Sequence, residues 1–340
     1  MERRITLAAV QLDAAPAPLA ERLARAESLV TQAAKAGAQL VALPELFNTG
    51  YAYRQENFAL AETAEGPTAQ WMKQVSARLG VHLAGSLLLR DGQDIYNALL
   101  LYAPDGRVWR YDKNYPWGWE RAYFRERRAI TIAETNLGSI GMMLCWDMAH
   151  ASLWQQYAGR VDLILACSCP PNFSDPIYSF PDGSRVTGDQ MGPIFRSMLH
   201  SEQRVFVDTP AQQSAWLGVP FIGSTACGNV HTSLPNPIGS FLGLLPTAPW
   251  LVRHLPQVRQ MKASVRLVEA ARIFAADGSR LTELCNDQGE SFTLAEVSIP
   301  ADRPRPRGPQ PKPPVSWFMY LVSDKLLTAV SLGTYARRGQ

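Results

Sequence analysis

The sequence predicts an α/β fold, and three features carry that prediction. By residue 47 the chain has passed through a strand, a helix and a second strand. The middle of the chain holds short strand patterns separated by turn signals such as Pro104, Asp105 and Gly106, which indicates an antiparallel meander. Near Cys145 an apolar run stops abruptly and an amphipathic helix pattern follows.

The composition is that of an ordinary globular protein and argues against several classes of function. The chain has 340 residues, of which 46% are hydrophobic and 19% charged. A net charge of +3 is too small to indicate nucleic-acid binding. The five cysteines contain no Cys-x-x-Cys pair, so we expect neither a disulfide framework nor a zinc site, and no cofactor. The first strand pattern begins almost at Met1, so we expect no signal peptide and a cytoplasmic location.

The first half of the chain alternates predicted strands and helices. An apolar run predicts a strand over 5–10, and residues 20–37 carry a helical apolar face that ends at Gly37. A second helix is predicted over 67–79, closed by Gly80. The remaining strand patterns of this half cover 39–43, 81–89, 95–102 and 107–112.

The second half contains a long segment without a clear pattern. Residues 170–190 are rich in Pro, Asp, Ser and Gly and predict a long loop, typical of a lid or binding loop. Helices are predicted over 194–203 and 209–217. The predicted strands of this half cover 161–167, 219–226, a hairpin over 271–276 and 280–284, and 290–299.

The composition changes after residue 300. We therefore predict one domain over 1–300, then a Pro-rich basic linker and a helical tail over 301–340. The helix over 317–335 carries Asp324 and Lys325 in its middle, which argues against a membrane span. Its apolar side chains predict packing on its own domain or, preferably, across a homodimer interface. Peripheral membrane contact is the alternative, since basic residues flank the helix.

Cys145 stands where a predicted strand turns into a helix. Such a turn exposes the sulfur, and the helix N-terminus is expected to lower the pKa of the thiol and favour the thiolate. A buried cysteine at a strand end is the alternative interpretation.

Two further polar residues, Glu45 and Lys113, also follow predicted strands directly. Strand ends that face one way form the usual ligand site of an α/β sheet, so the three side chains can meet there. A carboxylate can take a thiol proton and an ammonium can stabilise an oxyanion. Taken singly, Glu45 could be a helix cap and Lys113 a solvated turn residue.

Three motifs in order resemble the nitrilase, or carbon–nitrogen hydrolase, superfamily: Leu43-Pro44-Glu45, Tyr111-Asp112-Lys113 and Gly141-x-x-x-Cys145-Trp146-Asp147. The resemblance covers roughly residues 5–300. It implies a four-layer αββα sandwich, usually dimerised through the helices that flank the cysteine, so we expect a homodimer or a higher homo-oligomer.

The resemblance also implies roles for individual residues. Cys145 would be the nucleophile, Glu45 the base and Lys113 the oxyanion-binding cation, with the backbone N–H of Trp146 as a second donor. Glu120 matches a second glutamate that many members carry, which would hold Lys113 and orient a small-molecule substrate. We place Trp146, Trp117, Tyr123 and Cys169 in the substrate site, and Trp119 and Phe173 are further candidates for an aromatic wall. Ordinary packing is the alternative for the aromatic residues.

The spacing from Lys113 to Phe124 resembles amidase branches more than nitrilases. We therefore predict a cysteine-dependent hydrolase of a non-peptide amide or carbamoyl amide that acts through a thioester. The alternatives are a nitrilase, an N-acyltransferase and a non-catalytic scaffold. Met148, Ala149 and His150 stand where many members carry an Arg and a Pro, and the segment over 172–207 is longer than usual. These departures leave the substrate open.

Overall fold

The computed structural model describes residues 3–172, 176–192, 201–246, 248–268, 271–313 and 315–337. Phe173 and most of the helix predicted over 194–203 lie outside these ranges.

Sixteen strands are present in the described part of the chain. In chain order they are β1 (Arg3–Asp13), β2 (Leu40–Ala42), β3 (His82–Asp91), β4 (Asp94–Tyr102), β5 (Val108–Asp112), β6 (Ile132–Thr135), β7 (Gly138–Leu144), β8 (Leu163–Ser168), β9 (Ile177–Ser179), β10 (Arg185–Thr187), β11 (Phe221–Cys227), β12 (Asn229–Thr232), β13 (Lys262–Arg266), β14 (Arg272–Phe274), β15 (Arg280–Glu283) and β16 (Ser291–Ile299).

The helices of the described residues are fewer than the strands and lie mostly outside them. They are α1 (Leu19–Lys35), α2 (Pro67–Leu79), α3 (Ala151–Tyr157), α4 (Thr209–Leu217), α5 (Pro237–Leu242), α6 (Trp317–Leu321) and α7 (Leu327–Ala336). Helical turns at Ser201–Gln203 and Arg204–Asp208 lead into α4, and Val322–Leu326 joins α6 to α7. Short 3-10 segments cover Gln55–Phe58, Gly118–Ala122, Cys145–Ala149, Gly188–Met191, Pro249–Gln260 and Asn286–Gln288.

Twelve strands form one strongly bent sheet whose two halves pack face to face. The order β5-β4-β3-β2-β1 continues as β11-β8-β7-β6, with β16 beside β1 and with β14 and β15 beside β11. Strand β1 joins the halves, because Leu7–Ala9 pairs with β2 while Gln11–Asp13 pairs with β11. Between the halves lies an apolar core, to which both contribute residues such as Leu99 and Leu165.

Helices cover both outer faces of this double layer. The buried stripe of α1, which includes Ala26 and Val30, packs on the outer face of the first half. Trp154 of α3 and Leu217 of α4 belong to the core that covers the second half. The predicted four-layer αββα sandwich is therefore confirmed, and it brings the ends of β2, β5 and β7 to one site.

The prediction of one long loop over 170–190 is wrong. Strands β9 and β10 form a hairpin there, and β9 pairs with β13 in a separate four-stranded sheet of order β10-β9-β13-β12. Each strand of the hairpin has three residues, and the partner β13 lies far along the chain. Such short strands gain their stability from non-local pairing, so the local sequence pattern does not reveal them.

The tail packs on its own domain. Its linker runs along the second half of the sandwich, where Gln310 Nε2 donates to Ala151 O (2.8 Å) and Trp216 Nε1 donates to Gly308 O (3.2 Å). The following helix buries Met319, Leu327 and Tyr335 in the main core. A role across a homodimer interface stays a prediction. Within the described ranges, no helix combines the length and the apolar character that crossing a bilayer requires.

Candidate active site

Cys145 lies in a tight, strained turn at the end of β7. Its φ of 48° is in the left-handed region, which is uncommon for a residue with a side chain. The following 3-10 turn is fixed by Asp147, whose Oδ2 accepts hydrogen bonds from Leu144 N (3.0 Å) and Tyr111 Oη (2.7 Å). Its Oδ1 accepts a third from Tyr115 N (2.7 Å). The buried carboxylate of Asp147 thus stabilises the strained backbone of this turn, and strained backbone is common at functional sites.

Glu45, Lys113 and Cys145 meet at this turn. Lys113 Nζ donates to Glu45 Oε1 at 2.7 Å, and the Cys145 thiol lies beside the Glu45 carboxylate. The backbone N–H of Cys169 donates to Glu45 Oε2 (2.9 Å) and lies beside the Cys145 thiol. The structure thus brings together the three residues that the strand ends predicted, and all three are buried.

Glu120 completes the charged cluster. Lys113 Nζ donates to Glu120 Oε1 (2.9 Å) and Oε2 (2.7 Å), so one ammonium lies between two buried carboxylates. The backbone N–H of Trp117 also donates to Glu120 Oε2, at 2.6 Å. Glu120 therefore lies where the family resemblance placed the second glutamate, in direct contact with Lys113.

The sequence patterns did not identify two further residues of the cluster. Asn97 Nδ2 donates to Glu45 Oε1 (2.7 Å), and the hydroxyl of Tyr51 donates to Glu120 Oε1 (2.5 Å). Asn97 lies inside β4, where a buried polar side chain in an otherwise apolar strand is the one signal that could have identified it. Tyr51 lies in a loop and offers no comparable signal.

The cluster shifts the pKa values of its members. Burial raises the pKa of Glu45 above its ordinary value, with Lys113 opposing this effect and Glu120 adding to it. Burial alone would lower the pKa of Lys113, but Glu120 and Glu45 outweigh it and raise that pKa well above the usual range. Lys113 is therefore a permanent cation, and Glu45 is a stronger base than an exposed glutamate.

The expected lowering of the Cys145 pKa is wrong. Burial and the neighbouring Glu45 raise the pKa of the thiol well above its ordinary value, and Lys113 only partly opposes them. The segment that follows is a five-residue 3-10 turn with its own carboxylate, Asp147, so its N-terminus supplies little positive potential. The free site therefore holds a neutral thiol beside a base.

Two cavities open onto the cluster. The smaller one, of about 10 Å³, touches Cys145, Glu120 and Trp146. The larger one, of about 50 Å³, includes Trp119, Cys169 and Tyr178 in its lining. The two share four wall residues, which are Tyr51, Tyr53, Trp117 and Pro171.

Of the four residues predicted to contact substrate, three line these cavities: Trp117, Trp146 and Cys169. Tyr123 lies behind the wall, where its ring stacks on Tyr53 with centroids 6.0 Å apart. Among the described residues, no group of three or more His, Cys, Asp or Glu side chains is placed to hold a metal ion.

Comparisons with known proteins agree with this arrangement. The carbon-nitrogen hydrolase family profile matches residues 6–199. A nitrilase from Pyrococcus abyssi is 33% identical over 127 residues, which cover 36% of this chain and 48% of the relative. The omega-amidase NIT2 of Danio rerio is 30% identical over 173 residues, which cover 46% of this chain and 60% of the relative. The chain thus spans about half to three fifths of the length of these two relatives.

Solved structures with the same fold are more distant in sequence. A carbon–nitrogen hydrolase superfamily protein from Xanthomonas campestris aligns with a TM-score of 0.62 at 17% identity, covering 88% of this chain and 91% of the other. An amidase from a Nesterenkonia species aligns with a TM-score of 0.61 at 18% identity, with the same coverage. These likenesses concern the fold. The family match over more than half of the sequence shows that the chain belongs to the carbon–nitrogen hydrolase family.

Proposed function

We propose that this protein is a cysteine-dependent amidase that hydrolyses a small uncharged amide through a thioester on Cys145. The observation that carries the proposal is the contact of one buried base, Glu45, with both the Cys145 thiol and the Lys113 ammonium. A thiol, a base and a fixed cation are the three groups that acyl transfer through a covalent intermediate needs.

In the first half of the reaction, Cys145 Sγ attacks the amide carbonyl carbon while Glu45 takes the thiol proton. The neutral thiol makes this proton transfer necessary, and the raised pKa of Glu45 favours it. Negative charge develops on the carbonyl oxygen, where Lys113 and the backbone N–H of Trp146 would stabilise it. Glu45 then returns the proton to the leaving nitrogen, the C–N bond breaks, and ammonia departs from the thioester.

In the second half, a water molecule replaces the amine. Glu45 removes a proton from the water as its oxygen attacks the thioester carbon, and Lys113 again faces the developing oxyanion. Collapse breaks the C–S bond, and the proton returns to the Cys145 sulfur. A carboxylic acid leaves, and the free enzyme is restored.

The larger cavity supports an uncharged, apolar acyl group. Among the described residues, its lining contains no Asp, Glu, Lys or Arg, and its walls are aromatic and aliphatic side chains with a few hydroxyl groups. A carboxylate on the acyl chain would lie there without a cation from the described residues, and burying an unpaired charge is strongly unfavourable. We therefore propose amides with a short apolar or aromatic acyl group in preference to amides that carry a second carboxylate.

The test is ammonia release from a matched panel of substrates. The panel contains acetamide, phenylacetamide, an amide with a terminal carboxylate, a carbamoyl amide and phenylacetonitrile, each with the wild type and with Cys145→Ala. We expect phenylacetamide to give the highest kcat/KM and Cys145→Ala to be inactive. Preference for the carboxylate-bearing amide would contradict the proposed acyl group, and preference for the nitrile would favour nitrilase chemistry.

The same assay distinguishes an acyltransferase from a hydrolase. Added hydroxylamine competes with water for the thioester and forms a hydroxamate. If product forms only when an amine acceptor is present, the protein is an acyltransferase and not a hydrolase.

A further inference from the structure

The tail reaches the turn that carries Cys145 through the partly buried carboxylate of Asp324 and through Tyr320, whose hydroxyl donates to Ala149 O. Asp324 Oδ1 accepts a hydrogen bond from Trp146 Nε1 (3.2 Å), and Trp146 directly follows Cys145. Asp324 Oδ2 lies 3.1 Å from His150 Nε2. The hydroxyl of Ser323 also donates to Oδ1, at 2.9 Å. Burial alone would raise the pKa of Asp324, but these partners outweigh it and lower that pKa, so the group is a carboxylate.

His150 closes a ring with the same two residues. Its Nδ1 lies 3.1 Å from the carbonyl oxygen of Trp146, and its other nitrogen faces Asp324. Both partners are acceptors, so both contacts are hydrogen bonds only when each ring nitrogen carries a proton. The ring of Tyr115 stacks on His150 at a centroid distance of 3.5 Å and fixes its plane. Trp146 is thus held at its side chain by Asp324 and at its backbone by His150.

The same helix supports the turn that carries Glu120. Leu327 packs so closely on Gly118 that a Cβ added to Gly118 would lie 2.8 Å from Leu327 Cδ1. Further along, the hydroxyl of Tyr335 accepts from Ile95 N (2.9 Å) at the start of β4. The tail therefore contacts the elements that carry Cys145, Glu120 and Asn97.

We propose that Asp324 is a positioning residue, which acts with His150 to hold Trp146 and thereby the Cys145 thiol in its reactive orientation. The inference rests on the proposed function, since it assumes that Cys145 is the nucleophile. It makes Asp324 of the tail part of the support of the active site.

The test compares variants of the full chain that remove the contact in different ways. Asp324→Asn removes the charge and one acceptor, and His150→Phe keeps a ring against Tyr115 but removes both hydrogen bonds. Lys325→Ala is the matched control, because Lys325 is the exposed neighbour of Asp324. All variants carry Cys285→Ser, which removes the exposed cysteine, so that iodoacetamide labelling at Cys145 can be followed by peptide mass.

We expect Asp324→Asn and His150→Phe each to lower kcat by about 10- to 100-fold while KM changes by less than about twofold, since small displacements of a reacting group have effects of this size. The rate of Cys145 alkylation should change in the same two variants and not in Lys325→Ala. The double variant should lose little more than either single variant, because both remove one unit.

Two results would overturn the inference. One is a wild-type kcat and alkylation rate in folded Asp324→Asn and His150→Phe. The other is a loss of kcat that only follows a loss of folded protein, measured by circular dichroism. If Asp324→Asn does not fold, His150→Phe alone decides between these outcomes. Activity in Cys145→Ala would instead refute the proposed function, so the two failures can be told apart.

Discussion

Replacing Lys113 by Met tests the charge balance of the site most severely. The side chain of Lys113 has no solvent exposure, and its ammonium makes hydrogen bonds of 2.7, 2.7 and 2.9 Å to Glu45 and Glu120. Met keeps the length and apolar character of the stem but leaves two buried carboxylates without a cation. Breaking a buried ion pair on one side costs about 3–5 kcal/mol, so we expect a loss of that size near pH 8.

The loss should depend on pH in a defined direction. Without Lys113, burial and Glu120 raise the pKa of Glu45 further, since the opposing interaction is gone. A carboxyl whose pKa is higher in the folded than in the unfolded state binds protons more tightly when folded. Stability is therefore retained at low pH and falls as the pH rises through the folded-state pKa. The difference from wild type should shrink between about pH 8 and pH 5.5, by about 1.4 kcal/mol for each unit of additional pKa shift.

Urea unfolding followed by circular dichroism at both pH values measures this, with Lys73→Met as the control, because Lys73 is exposed on α2. The control should differ from wild type by less than about 0.5 kcal/mol. The activity of Lys113→Met should fall by about 10²–10³ in kcat, as for the loss of one oxyanion donor. A Lys113→Met protein as stable as wild type at pH 8, or a difference that grows at low pH, would refute the reasoning.

Three further changes test the surroundings of the site. Asn97→Ala removes a charge-assisted hydrogen bond to Glu45 and should lower kcat by about 10- to 100-fold while moving the acid limb of the pH–rate profile upward, which steady-state kinetics measures. Tyr51→Phe removes the hydroxyl bonded to Glu120 and should lower kcat by about 3- to 10-fold, and an unchanged kcat would show that this contact is dispensable. Val230→Trp fills the larger cavity and should raise KM for phenylacetamide more than for acetamide, whereas equal effects on both would place the acyl group elsewhere.

The sequence was sufficient for the charged centre of the site because its residues obey a local rule. Glu45, Lys113 and Cys145 each follow an apolar strand, and strand ends that share an edge meet in space. Asn97 does not follow a strand end but lies within β4. It contacts Glu45 only because β4 and β2 belong to the same half of the sandwich. Its role depends on the fold and not on its neighbours in the chain.

The errors have the same physical origin. The hairpin β9–β10 depends on pairing with β13, and three-residue strands carry too few residues for an alternating pattern. The helix pattern after Cys145 predicts a lowered thiol pKa. In the structure, burial and the carboxylate of Glu45, which follows β2, raise that pKa instead. The apolar face of the tail was visible in the sequence, whereas its contact with Trp146 depends on the path of the linker along α3 and α4.

The most direct test of the proposed mechanism is peptide mass spectrometry during turnover. Wild-type protein is mixed with phenylacetamide, quenched in acid within the steady state and digested at low pH, which preserves thioesters. We predict a phenylacetyl group on the peptide that carries Cys145, its loss on treatment with hydroxylamine, and no such group in Cys145→Ala. Ammonia release that continues in Cys145→Ala, or an acyl group on any other residue, would contradict the mechanism.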